Sequence, residues 1–253
     1  MLSEPGGPAA DPDPSLDTPF SVRDRGPDAQ ADAIARPDPW HAAGSAAFPF
    51  AMAHTPRMTD VARHEPGPYT WDDFIALDED DLRELIDGEL LEVEVPNDAH
   101  ELLVPLLIFY LVGWAEAHGG GATFASGYKV RITNKRGVMP DVQFYRAGHT
   151  PRGQRQGLVQ GHPDLVVEVV SPSSVRYDRV VKMNWYASIG TPEYWIVDPD
   201  ARTFERLVLE NGRYLIADAL DGDEVFRPAT FEGLEIPLSK LWAAVEELRL
   251  EGE

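Results

Sequence analysis

Cysteine is absent from this chain. That rules out a disulfide framework and a thiolate zinc site, so any metal must be held by oxygen or imidazole ligands. No apolar run reaches the ~18 residues that a membrane helix needs. The N-terminus also lacks the basic start and apolar stretch of a signal peptide, so the expected location is cytoplasmic, with no membrane partner. Positive charge is scarce as well. Lys and Arg number 22 against 43 Asp and Glu, for a formal net charge of -21. At first this argues against a nucleic-acid partner, because phosphate binding depends on basic side chains releasing counterions. The distribution changes that reading: from Trp71 to Glu101 thirteen acids face one base, Arg83, whereas from Lys129 to Lys182 ten bases face four acids. A cleft built from the second segment could attract a polyanion while the remaining surface stays acidic. Scattered over loops, the same bases would form no patch.

Residues 1–68 are dominated by Pro, Ala, Asp and Gly and have no sustained periodicity. Such a segment cannot bury enough apolar surface to offset its ordering entropy, so a disordered tail is expected there and a folded domain over 69–253. Thr70 and Asp73 have capping-box spacing ahead of Phe74, Ile75 and Leu77. Residues 83–86 and 89–95 flank Asp87-Gly88, the turn of a hairpin. Asp98 can cap a helix over 99–118, in which Leu102, Leu103, Leu106, Leu107, Tyr110 and Trp114 recur at helical spacing before three glycines end it. Strands are expected over 123–133 and 138–145, then a basic loop over 146–161 and a strand over 165–170. A helix over 175–189 follows, capped by Ser173 or Ser174, and then a buried strand over 193–197. Strand, helix and strand in that order form a right-handed parallel βαβ unit. A second hairpin over 204–218 and a last helix over 238–248 complete a mixed α/β fold.

The chemistry lies where the strands meet. Asp164, Val166, Glu168 and Val170 share one face of their strand, and an acid in the middle of that valine-rich run is costly to bury unless its charge is compensated. Asp141 is the only acid in its own run and follows Pro140, which suits a strand start. Two carboxylates on adjacent strand ends can hold Mg²⁺ or Mn²⁺, an arrangement suited to cutting a phosphodiester. Lys182 lies on the next helix, one turn after Asp178, where its ammonium could orient the attacking water or neutralise developing phosphate charge. Each residue also has a plainer reading. Asp141 could bond loop amides, Glu168 could belong to a structural ion pair, and Lys182 could pair with Asp178 on a solvated helix face. His100 could cover the metal site or bond a phosphate, or simply cap or pack. Glu84 and Glu89, beside the hairpin turn, would by default face solvent. Trp185 and Tyr186 read as core.

Several landmarks occur in order: Glu84-Leu-Ile-Asp-Gly-Glu-Leu90, His100 at a helix start, Pro140-Asp-Val142, Pro163-Asp-Leu-Val-Val-Glu-Val-Val-Ser-Pro-Ser173, Asp178, Lys182, Tyr186, and Gly190-Thr-Pro-Glu-Tyr-Trp-Ile-Val-Asp-Pro199. Together they resemble the Uma2 family, a branch of the PD-(D/E)XK nuclease superfamily, over roughly residues 69–242. The resemblance implies a restriction-endonuclease-like core with Asp141 and Glu168 as metal ligands and Glu84 near the active site. It implies DNA as substrate, and a homodimer for cutting both strands. In that superfamily a lysine stands two residues after the second acid, where this chain has Val170. Either Lys182 takes over the task from the following helix, as the Uma2-like pattern implies, or the site is crippled and the chain binds nucleic acid or protein without catalysis.

Overall fold

A computed structural model describes residues 64–78, 80–92, 97–149, 157–158 and 161–251. The expected tail up to residue 63, the end of the first hairpin at 93–95 and most of the basic loop fall outside those residues. Local signals start the fold. Thr70 donates from its backbone N and its Oγ1 to Asp73 Oδ2, at 2.8 and 2.7 Å, and so opens the short helix α1 (Trp71–Ile75). The helix α2 (Asp98–Ala117) is capped by Asn97, whose Oδ1 accepts from His100 N at 2.9 Å. The cap is thus one residue earlier than expected, and Asp98 becomes a first-turn acid that complements the helix dipole. Order also begins earlier than residue 69, because β1 (His64–Glu65) pairs with β3 (Glu89–Glu92).

The described strands form two six-stranded sheets and a small two-stranded one. The first sheet has the order β1-β3-β2-β6-β5-β8, with β2 at Arg83–Ile86, β5 at Lys129–Thr133, β6 at Arg136–Val138 and β8 at Gly157–Leu158. The second has the order β12-β11-β10-β9-β7-β4, with β4 at Gly121–Ala125, β7 at Val142–Arg146 and β9 at Leu165–Val169. Its remaining strands are β10 at Glu193–Asp198, β11 at Thr203–Glu210 and β12 at Arg213–Asp221. The third joins β13 (Val225–Phe226) to β14 (Ile236–Pro237). The two long strands expected over 123–133 and 138–145 are in fact four. Gly127, at φ 100°, lets the chain leave the second sheet after β4. Pro140, which has no N–H for a ladder, marks the return to that sheet at β7.

The helix α3 connects β9 to β10, which are parallel as the βαβ pattern requires. It is not uniform: Tyr177–Lys182 is a π-helical turn and Met183–Ile189 is α-helical, ending at Gly190 with φ 86°. Alternation along β9 divides the core in two. Leu165, Val167 and Val169 join the cluster packed under α2 and α4 (Leu238–Glu251). Val166 and Val170 join the cluster under α3, with Trp185, Tyr186, Tyr194 and Ile196. Glu168 points to the second side, as period-two spacing requires. By length and composition α2 is apolar enough to cross a membrane, with a mean hydropathy of 1.3. Here its Leu103, Leu107 and Leu111 are fully buried in the core.

The first sheet is closely fitted to α1. A Cβ on Gly137, which pairs with Leu85, would lie 2.7 and 2.8 Å from Phe74 ring atoms and 3.0 Å from Trp71. Gly137→Ala should therefore cost about 1–3 kcal/mol in denaturant unfolding through overpacking; an unchanged midpoint would show that α1 is free to shift.

Candidate active site

The register between β7 and β9 builds the centre. Val142 lies opposite Val167, and one further step in the same antiparallel register sets Asp141 opposite Glu168. Asp141 Oδ2 accepts from Val169 N at 2.8 Å, which ties the acid to the neighbouring strand. Its Oδ1 faces His100 Nε2 at 2.8 Å. His100 therefore belongs both to the cap, through its backbone, and to the site, through its ring. Glu168 is fully buried. Its Oε1 accepts from the Tyr186 hydroxyl at 2.6 Å and its Oε2 from Lys182 Nζ at 3.1 Å.

Lys182 is the hub. Its ammonium also lies 3.1 Å from Asp178 Oδ1 and 4.0 Å from Glu84 Oε1. The pairing with Asp178 exists, but not on a solvated face: Asp178 is 1% and Lys182 2% exposed. Glu84, expected to face solvent, is buried too. Its Oε1 accepts from Met139 N at 2.8 Å, just before Pro140-Asp141, and its Oε2 from the Tyr177 hydroxyl at 2.7 Å. Glu84, Asp141, Glu168, Asp178, Lys182 and His100 thus form one buried constellation. Glu89 stays at the exposed end of β3. Val170, at the superfamily's lysine position, lies in the core, and its N–H donates to Val197 O at 2.9 Å.

The electrostatics follow from burial opposed by partners. Burial would discharge Lys182, but Glu168, Glu84 and Asp178 outweigh it and hold the ammonium charged, its pKa well above the usual lysine value. Burial would likewise raise Asp141, but the hydrogen bond and charge of His100, the charge of Lys182 and the Val169 amide together lower it. Glu84 goes the other way: burial dominates and raises it, against the opposing pull of Lys182. Burial and the adjacent Glu168 keep the Tyr186 hydroxyl protonated, as its bond to that carboxylate requires.

The donor chemistry suits a hard divalent cation. The groups are carboxylates, their charge exceeds that of one ammonium, and Asp178 keeps both oxygens without a hydrogen bond. The spacing is less prepared: among the described residues no three His, Asp or Glu side chains converge as a metal cluster. The ammonium stands between them instead. Tyr177, unmarked in the sequence, joins this constellation, as do Asp178 and Tyr186, landmarks expected as a helix-face partner of Lys182 and as core. A signal existed, since Asp178, Lys182 and Tyr186 recur every fourth residue and make one polar helical stripe.

Several bases of the central segment have other engagements, while Lys135 and Arg176 are exposed. Lys129 and Lys182 are buried, Arg136 pairs with Asp87, Arg179 with Glu205, and Arg146 donates to Thr230 O. Arg152 and Arg155 lie outside the described residues.

Residues 71–239 match the family model Uma2, described as "Putative restriction endonuclease". This chain belongs to the Uma2 family. Its fold is also similar to a crystal structure from Anabaena variabilis ATCC 29413, described as a putative nuclease belonging to DUF820. That match has a TM-score of 0.58 and 18% identity, and covers 70% of this chain and 99% of the other. Such a likeness establishes the fold, restriction-endonuclease-like and mixed α/β, while the family match makes the chain a nuclease-family protein. No curated protein matches it. In this Uma2 chain the lysine nearest the second acid comes from α3.

Glu84 supplies a test of the site's charge balance. Its pKa is raised above 4.5 in the fold. Its contribution to stability is therefore fully present below the unfolded value and is lost as pH rises through the raised one. Glu84→Gln should melt higher than wild type at pH 8, with the difference shrinking toward pH 4. A variant less stable at pH 8 would mean that the ionised carboxylate is favoured.

Proposed function

We propose that this chain is a Mg²⁺- or Mn²⁺-dependent endonuclease that hydrolyses DNA phosphodiester bonds, with Asp141 and Glu168 holding the ion. The observation that carries this reading is the contact of 3.1 Å between Lys182 Nζ and Glu168 Oε2, on the strand next to Asp141. It supplies acid, acid and lysine from β7, β9 and α3 in a family whose description is that of restriction endonucleases. A divalent ion bound there would neutralise the phosphoryl oxygens and assist water attack at phosphorus. Lys182, kept charged, would oppose the negative charge that develops on the phosphate in the transition state. Tyr186 orients Glu168, and His100 orients Asp141 from the start of α2. Glu84 holds Met139 N, and with it the turn into Asp141.

A second reading, a non-catalytic descendant that binds nucleic acid or protein, rests on Val170 and on the seclusion of the acids, since Asp141 and Glu84 are each 4% exposed. Nicking of supercoiled plasmid with Mg²⁺ or Mn²⁺ separates the two. Wild type should nick, and Asp141→Ala and Lys182→Ala should each lose about 100-fold or more in rate, with DNA binding of Asp141→Ala largely retained and circular dichroism showing both variants folded. Wild-type protein that neither nicks DNA nor binds metal would establish the second reading.

A further inference from the structure

Two observations at Lys182 go beyond a lysine positioned for catalysis. The first is that its ammonium lies 3.1 Å from both Glu168 on β9 and Asp178 on its own helix, while of the two only Glu168 accepts a hydrogen bond from it. The second is that Asp178, 1% exposed, accepts no hydrogen bond on either carboxylate oxygen, so the ammonium is what compensates its charge. A carboxylate of that kind is costly as a structural element alone, because a buried charge is normally satisfied by several donors. We propose that Asp178 is a positioning residue that receives Lys182: the ammonium stands in for the divalent cation at Glu168 while the site is empty, and moves wholly to Asp178 when a cation binds. This rests on the metal-site reading above.

The ammonium already lies 3.1 Å from both acids, so the exchange asks for only a small displacement of Nζ. Lys182 and Asp178 lie one turn apart on α3, within the π-helical segment that faces β9. The lysine side chain can pivot between the two carboxylates by rotamer change. Glu84 on β2, 4.0 Å from Nζ and itself bonded to Tyr177 of α3, adds a third acid beside the ammonium. Mutual repulsion supplies the driving force, since a dication and an ammonium on one carboxylate repel each other more strongly in a low-dielectric interior than in water. Lys182 is then a competitor of the metal, and Asp178 relieves the competition.

Mn²⁺ titration followed by electron paramagnetic resonance tests this on the intact chain, without reference to cleavage. Lys182→Gln, which keeps a donor to Glu168 but loses the charge, should bind Mn²⁺ about tenfold more tightly than wild type, and Asp178→Asn about tenfold more weakly. In the double variant the effect of Asp178→Asn should largely disappear, because Asp178 acts through Lys182. Thermal melts of the same proteins give a second readout if a variant is fragile: the rise in Tm on adding Mn²⁺ should be larger for Lys182→Gln than for wild type. Unchanged or weaker binding by Lys182→Gln, unchanged or tighter binding by Asp178→Asn, or a full Asp178→Asn effect in the double variant would each overturn the proposal while leaving the metal site standing. Wild-type protein that binds no Mn²⁺ would overturn the metal-site reading itself.

Discussion

Lys182 has 2% of its surface exposed and a pKa held well above the usual lysine value by its acidic neighbours, and an ammonium so placed persists only where carboxylates replace its water. Glu168, Asp178 and Glu84 do that from three directions, and in doing so they join β9, α3 and β2. Removing one partner of such a group costs about 3–5 kcal/mol, whereas replacing the whole group with apolar side chains is often neutral or stabilising. Stability alone therefore gives little reason for three acids and a lysine to be buried together at α3. The proposed function gives their arrangement a reason that folding does not.

The rest of the fold keeps these groups in place. Antiparallel pairing of β7 with β9 sets Asp141 across from Glu168, and the Val169 amide fixes the Asp141 carboxylate against its neighbour strand. The parallel partner β10 places Ile196 beside Glu168 and closes the apolar wall on that side. The core under α2 and α4 is built from the opposite faces of the same strands. It can be wholly hydrophobic because the odd-numbered residues of β9 belong to it and Glu168 does not. Tyr177 and Tyr186, one on each side of Lys182 along α3, bring hydroxyls to Glu84 and Glu168.

Much of this was readable from residue order. The valine run interrupted by Glu168, the proline before Asp141, and the strand, helix, strand unit from β9 to β10 all follow from local periodicity, and the structure agrees with them. What could not be read depends on contacts between segments distant in sequence. Glu84 looked solvated because a hairpin acid usually is; it is buried because β6 and α3 close over it with the Met139 amide and the Tyr177 hydroxyl. The split of one long expected strand into β4 and β5 depends on which sheet each half joins, and periodicity within a strand does not encode that choice. The placing of Lys182 at equal distance from two acids depends on the local geometry of α3, where a π-helical turn replaces the expected α-helical one.

In the proposed function Asp141 and Glu168 form a cation site whose place the Lys182 ammonium holds. A crystal structure of the chain soaked in Mn²⁺, with anomalous difference density at the manganese edge, tests it most directly. The expected result is a peak between the Asp141 and Glu168 carboxylates, with Lys182 Nζ withdrawn from Glu168 onto Asp178. Lys182 still bonded to Glu168, with no manganese at that pair of acids, would contradict it.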